Sequence, residues 1–457
     1  MGRKHLEPTN KESLFKPDEI FFSSTDLKGI ILSGNDVFQR ISKYSMEELL
    51  GSPHNIIRHP DMPKIIFKLL WDYIQSGKSI VAYVKNLAKD GNYYWALATI
   101  IPIKDKEGNI AEYISIRIKP TTKFFEKIPP IYEHLLHIEK EKGMEESYEA
   151  LMEIIKKLGY KSYDDFMKDL LSKEVKDKLS LLKVGIPSTS CENIYLREII
   201  LKLRFIEEPI EKLFSNISQF ENLRELFDQK SENIYRTSDE IRLTALNSSI
   251  ESMKLGSRGS VFSVISSEMR KNSEEEGRVI AQMKILIQKI SENIKEIVYT
   301  VSLSKIEIVM FSQFLNSLIE KIGSKSLNGK SQNVKNFVFL IQSSLDYFKK
   351  LSNIMEESIK LIEELNRNLR KMNVLIEELE AIYFRGLIES GYLQETNFPI
   401  IFNYVKSLVN KTKMEISQIE NPLVKILDSS VIINDTIENI LDSLEIINKD
   451  LEKLLQN

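Results

Sequence analysis

The densest run of chemistry-bearing side chains is Pro53-His54-Asn55-Ile56-Ile57-Arg58-His59-Pro60-Asp61-Met62-Pro63. Arg58 carries a planar, permanently charged fork that suits a phosphate, with a surface ion pair as the alternative. His59 and Asp61 stand close enough to orient one another or a bound group, and Asp61 also reads as a helix N-cap. His54 and His59 do not form a metal set, because no third ligand follows at suitable spacing. Asn86 lies in a largely apolar strand, where an amide has little scaffold value and points to a ligand. Asn35 has the same amide chemistry but also caps a short helix. Trp71, on an amphipathic helix, and Trp95, on a strand, can each stack on a planar group or fill a core. His134 and His137 share a helix face and read as solvent-facing. No Gly-rich nucleotide loop, phosphoacceptor histidine box or Ser/His/Asp set is present, so the chain reads as a non-enzyme.

The elements that must position these residues fall in the first 120. Glu19 to Ser24 and Gly29 to Leu32 read as strands around a turn at Asp26 to Lys28. A short helix opens at Asn35, and Ser45-x-x-Glu48 is a capping box for another that Gly51 closes. Ile65 to Ile74 is an amphipathic helix. Three longer strands follow, Ser79 to Asn86, Tyr93 to Ile103 and Ile110 to Ile118, joined at Lys89-Asp90-Gly91-Asn92 and Asp105 to Asn109. The order predicts a five-stranded antiparallel sheet with helices over one face and a pocket between them.

This block resembles the PAS domain of bacterial aerotaxis receptors. The resemblance rests on the 53–63 run together with Ser24-Thr25-Asp26-Leu27, Gly34-Asn35-Asp36-Val37-Phe38, Leu70-Trp71, Val84-Lys85-Asn86, Lys89-Asp90-Gly91, Tyr94-Trp95 and Ser115-Ile116-Arg117. It implies bound FAD, with haem as the alternative ligand, and a report on redox state. It also implies that Asn35, Arg58, His59, Asp61, Trp71, Asn86 and Trp95 contact the cofactor. A flavin needs an apolar slot, polar groups for its pyrimidine edge and donors for its phosphates, and these residue types supply them.

From about residue 125 helical periodicity takes over. Short helices between 131 and 183 break at Gly143, Gly159 and Gly185-Ile186-Pro187. Thr189-x-x-Glu192 is a capping box for a helix running to about Leu255, with Pro209 a kink candidate. Gly256-Ser257-Arg258-Gly259 reverses the chain, and a second long helix follows from Ser260 to about Ile322. Beyond Gly329, Phe348, Met355, Ile362, Leu369 and Ile376 fall seven apart, with Leu351, Ser358, Leu365, Met372 and Leu379 three residues after each, a packed-helix seam. Ile388-Glu389-Ser390 and Phe398 echo Ile250-Glu251-Ser252 and Phe262, and Gly391, Asn397 and Pro399 break the helix there. Residues 335 to 455 are therefore expected to form a second hairpin beside the first.

The stretch from Leu246 to Lys271 resembles the cytoplasmic hairpin tip of methyl-accepting chemotaxis proteins. That implies contact with a chemotaxis histidine kinase and its coupling protein, or with another chemoreceptor, through Asn247, Glu251, Lys254 and Phe262. The sequence departs from the family at Asp239, in place of an aromatic residue, at Lys254, in place of arginine, and at Ser260-Val261, in place of Arg-Gly. It also shows no Glu/Gln methylation pairs flanked by small residues.

The fold class expected is an α+β N-terminal PAS domain followed by an all-α, coiled-coil hairpin region. The expected domains are 1–18 (N-terminal segment), 19–122 (sensor), 123–188 (helical linker), 189–330 (first hairpin) and 331–457 (second hairpin or bundle). A net charge of −3 argues against general nucleic-acid binding. One cysteine, Cys191, allows no internal disulfide and fits a reducing cytoplasm. No stretch reads as a bilayer span, so the chain is expected in the cytoplasm, on a membrane only through a partner, and as a homodimer. The competing reading is a PAS-containing scaffold that partners another receptor without a redox cofactor.

Overall fold

The computed structural model describes residues 7–105, 107–183, 185, 194–322, 332–392 and 396–456. The Thr189–Glu192 capping box and Cys191 lie outside them. The chain divides into two compact units, Met1–Phe214 with Val298–Leu351 and Ile437–Asn457, and Ser215–Ile297 with Ser352–Thr436.

The first unit contains a five-stranded antiparallel sheet in the order β2-β1-β5-β4-β3. Its strands are β1 (Ile20–Thr25), β2 (Ile31–Gly34), β3 (Ile80–Leu87), β4 (Tyr93–Lys104) and β5 (Ile110–Ile118). Helices α1 (Asp36–Ser42), α2 (Met46–Leu49) and α3 (Lys64–Gln75), with a 3₁₀ turn at His54–Ile57, cross over between β2 and β3. Local chemistry sets the ends: Asn35 accepts from the Phe38 amide, and Ser45 and Glu48 close a reciprocal capping box. Asp61 does not cap α3. Pro63 occupies that position, and the Lys64 and Ile65 amides donate instead to the Glu139 carboxylate at 2.9 and 2.8 Å.

Side chains alternate across a strand, so each strand divides its residues between two faces. One face carries Ser23, Val84, Asn86, Ala98, Ser115 and Arg117 toward α3 and the 3₁₀ turn. The other carries Phe22, Tyr83 and Trp95. Against the β3–β4 part of that second face pack α4 (Ile128–Glu141), α5 (Met144–Lys157) and α6 (Tyr163–Asp177). Trp95 lies 5.4 Å from the Phe125 ring and 5.8 Å from that of Tyr132, whose hydroxyl donates to Tyr83 O at 2.8 Å. The segment expected as a linker is thus a cover for the sheet. It is locked by Glu174, fully buried, which pairs with Lys178 at 2.6 Å and accepts from Tyr83 OH, Thr121 N and Thr122 Oγ1. A buried ion pair holds only when its remaining lone pairs are satisfied in this way.

Four long helices make up the rest: α7 (Ile194–Lys254), α8 (Ser260–Ile322), α9 (Gln332–Ser390) and α10 (Phe398–Gln456). Pro209 lies inside α7 without ending it. In the first unit, every α8 residue from 299 to 312 is buried. Lys305 there faces Glu211 of α7, and Glu307 accepts from Ser343 and Ser344 of α9. In the second unit α7 and α8 run antiparallel, with Glu232 opposite Lys284, Ser238 opposite Ser273 and Ser248 opposite Ser266. Asn272 donates to Leu375 O across α8 and α9, Lys413 pairs with Glu380 across α9 and α10, and Tyr404 donates to Glu240 across α10 and α7. One chain therefore supplies all four helices of this bundle. All ten positions of the 348–379 heptad pattern are buried. At the first turn a Cβ on Gly259 would stand 1.9 Å from Ser252 O, so only glycine permits that reversal.

Phe262 is 2% exposed and stacks on Phe398 inside the bundle, so it cannot serve as the surface contact expected of it. Asn247 and Lys254 are exposed, and Lys254 pairs with Glu251 at 2.9 Å. By length and composition the segment Gly256–Asn316 qualifies as a membrane-span candidate, and 89% of its most apolar window is buried within the protein.

Candidate functional site

Between the sheet, α3 and the 3₁₀ turn lies a cavity of about 1000 Å³ of atom-free space, part of it open to solvent. Its mouth carries Lys28, Asn55 and Arg58, and its walls are apolar: Phe67, Leu70, Trp71, Ile74, Val84 and Ile100. Trp71 stands edge-on to Tyr113, ring centroids 5.9 Å apart. The indole also lies against Gly29, where φ is +79° and a Cβ would crowd the ring at 3.3 Å. That turn needs glycine for its backbone and also fits the tryptophan. The Arg58 guanidinium lies 4.0 Å over the Phe67 ring and donates to Met62 O.

Two polar atoms on the cavity's sheet wall lack partners. Asn86 is 4% exposed with its Nδ2 unbonded, and the buried Ser115 Oγ is also unbonded. An unpaired buried donor costs about 1–3 kcal/mol, so such atoms mark where a ligand is expected.

Beside them is a buried cation. Arg117, 3% exposed, donates from Nη1 to Ser23 Oγ (3.0 Å) and Ser115 O (3.2 Å), and its Nη2 lies 2.7 Å from His54 Nε2. Guanidinium can only donate, so His54 Nε2 accepts and the ring is neutral with its proton on Nδ1. Burial, then the charge of Arg117, lowers the His54 pKa to about 3. Burial lowers Arg117 only to about 10, so it stays charged at neutral pH. Among the described residues no carboxylate pairs with it; besides its three acceptors, it faces the rings of Phe21 and Phe38, at 5.4 and 5.8 Å.

Of the seven residues expected to contact a cofactor, Arg58, Trp71 and Asn86 line this cavity and four do not. Trp95 lies on the opposite face of the sheet. Asn35 spends its amide locally: its Oδ1 accepts from Phe38 N and Phe22 N, and its Nδ2 donates to Ile20 O and to Gln313 of α8 at 3.3 Å. His59, 2% exposed, accepts at Nδ1 from Asp61 N, and Asp61 pairs with Lys85 at 2.6 Å. These two clasp the loop before α3 to the outer side of β3. Burial, then the Lys85 charge, lowers His59 to about 4, so it too is neutral. His54, Ser115 and Arg117 are polar cavity residues not proposed as cofactor contacts from sequence, although all three stand in the motifs quoted. Among the described residues no cluster of His, Cys, Asp and Glu has a metal-holding arrangement.

The N-terminal domain is a PAS domain: residues 31–117 match the PAS fold family. It is similar to the aerotaxis receptor of Escherichia coli K12, 37% identical over 131 residues, which is 29% of this chain and 26% of the receptor. It also resembles the bacterioopsin transcriptional activator of Halobacterium salinarum, 26% identical over 95 residues, 21% of this chain and 14% of that protein. Among solved structures, a light-oxygen-voltage domain from work on a flavin analogue matches at 21% identity and TM-score 0.23, covering 27% of this chain and 88% of that one. The matches therefore concern the PAS domain, and the chain spans about a quarter of the receptor's length.

Proposed function

We propose that this chain is a redox or oxygen sensor that holds FAD in the PAS cavity and signals through its helical region to a chemotaxis histidine kinase and coupling protein. The observation that carries the reading is the cavity wall, where orphaned Asn86 and Ser115 atoms stand beside Arg117, a buried charge with which no carboxylate among the described residues pairs. The similarity to an aerotaxis receptor across this same domain supports it. A mostly apolar lining with a few convergent polar groups is the composition usual for cofactor and ligand sites. Trp71 and the apolar wall would flank a ring system, Asn86 and Ser115 would bond its polar edge, and Arg58 at the mouth would meet phosphates. When bound, a flavin supplies reversible oxidation and reduction.

The chain's own part is to convert a change at the cavity into a change in a helix. Ser23, bonded to Arg117, faces the cavity; Phe22, next along β1, faces away and meets Phe314 of α8 with ring centroids 4.4 Å apart. Asn35 bridges the Phe22 amide to Gln313 beside it. A shift of β1 by rearranged hydrogen bonds at Arg117 therefore reaches α8 through two adjacent contacts. In this reading the protein acts in the cytoplasm and catalyses no reaction. The test is the visible spectrum of the purified protein before and after dithionite. Flavin bands that bleach support the proposal; a folded, colourless protein that does not take up added FAD sinks it in favour of the scaffold reading.

A further inference from the structure

In the first unit α8 is buried on every side from residue 299 to 312, so a charge there has no face on which to meet water. Two charged residues stand in that stretch. Lys305 faces Glu211 of α7 at 3.5 Å. Glu307, two residues on and about 200° round the helix, turns instead to α9. There its carboxylate oxygens accept one each from the hydroxyls of Ser343 (3.2 Å) and Ser344. Among the described residues no cation pairs with it. The titratable groups nearest are phenols, Tyr347 of α9 and Tyr299 of α8, and burial holds Tyr347 neutral. The other charges of the unit are engaged or outside. Lys168 of α6 lies over the Tyr299 ring at 5.5 Å and pairs with Asp164. Asp346, Lys349 and Lys350 of α9 are exposed, and on α10 Asp450 pairs with Lys453 while the remaining charges of this unit are exposed.

A carboxyl met only by hydroxyls is stable there as the neutral acid, because two dipoles do not repay the burial of a charge. Burial accordingly raises Glu307 to about 8, with the two serines holding it back. When the proton leaves, an unpaired charge stands in the closed layer between α8 and α9, and opening that layer relieves it. The same stretch of α8 meets the PAS domain. Gln313 and Phe314, the partners of Asn35 and Phe22, follow Glu307 within two turns. Tyr299, before it, bonds to Ser79 Oγ at 2.9 Å, beside the first residue of β3. We propose that Glu307 is a proton-operated latch between α8 and α9, closed when protonated, which gives the chain a second input on the helix its PAS domain touches. The latch works whether or not the cavity holds a cofactor.

The test is hydrogen exchange of the full chain, read on α8 peptides spanning 299–314 from about pH 6 to about pH 9.5 and corrected for intrinsic exchange. In the native chain protection is expected to hold at low pH and then to fall by about tenfold per pH unit above roughly 8, the slope of one proton released on opening. Glu307→Gln keeps the shape without the proton and should show no such fall. Ser344→Ala removes one hydroxyl that favours the ionised form, so the fall should begin at higher pH, which keeps the test open should the glutamine variant not fold. A native chain whose corrected protection does not change with pH overturns the proposal. So does a folded Glu307→Gln chain that repeats the native fall, or a Ser344→Ala chain whose onset does not move.

Discussion

Arg117 Nη2 lies 2.7 Å from His54 Nε2, and this contact holds a neutral imidazole against a buried cation that no carboxylate among the described residues pairs with. Such a charge is costly to an empty pocket and useful to a filled one. Arg117→Met is therefore expected to act with opposite signs on two measurements. The thermal midpoint of the ligand-free protein rises or stays level, while FAD affinity, measured by fluorescence titration, falls by roughly tenfold or more, the worth of a charge-assisted hydrogen bond. Equal affinity in the variant would remove Arg117 from the site.

Trp71 and Asn86 face the cavity and Trp95 faces away from it, so alanine variants separate binding from stability. Trp71→Ala and Asn86→Ala should lower flavin content of the purified protein with little loss of helical signal. Trp95→Ala should keep its flavin but lose about 2–4 kcal/mol of stability in urea unfolding, since it empties a space lined by Phe125 and Tyr132. Flavin loss in the Trp95 variant at temperatures where it is fully folded would contradict this division.

The sheet, its turns and the 348–379 seam were legible in the sequence because period and capping are local properties. The face of each strand residue was not. In the β3–β4 register Lys85 pairs with Trp95 and Asn86 with Tyr94, so Trp95 shares the face opposite to Asn86's. Both Trp95 and Asn86 read as ligand candidates while only their types were weighed. Arg117 was missed because an arginine near a strand end ordinarily reads as solvent-exposed. Asn35 was correctly read as a cap, but its second partner, Gln313, is 278 residues away, beyond any local pattern. Phe262 reads as a surface residue until a second hairpin supplies Phe398 to cover it.

That distant partner gives a test of signal transfer. Asn35→Ala removes the α1 cap and should cost about 1 kcal/mol while leaving flavin bound. Gln313→Ala keeps the cap and the cavity and breaks only the bond to α8. In hydrogen exchange on oxidised and reduced protein, native α8 amides near residue 313 should differ between the two states. In Gln313→Ala that difference should shrink, with the flavin spectrum unchanged. An undiminished difference would leave transmission to Phe22 and Phe314 alone.

Glu276 offers a prediction in pH. It is fully buried in the second unit with neither carboxylate oxygen bonded, and burial raises its pKa to about 7. A folded pKa above the unfolded value near 4.5 means that the folded state favours the protonated acid. The stability this contributes is complete below pH 4.5 and is lost as pH rises through about 7. Glu276→Gln keeps the shape without the titration. The variant's stability relative to native should therefore grow across that interval and level off above it, by on the order of 3 kcal/mol in total. Chemical unfolding of both proteins at a series of pH values, followed by circular dichroism, measures the difference. A pH-independent gap would mean that Glu276 does not change protonation on folding, and that its carboxylate finds a partner in solution.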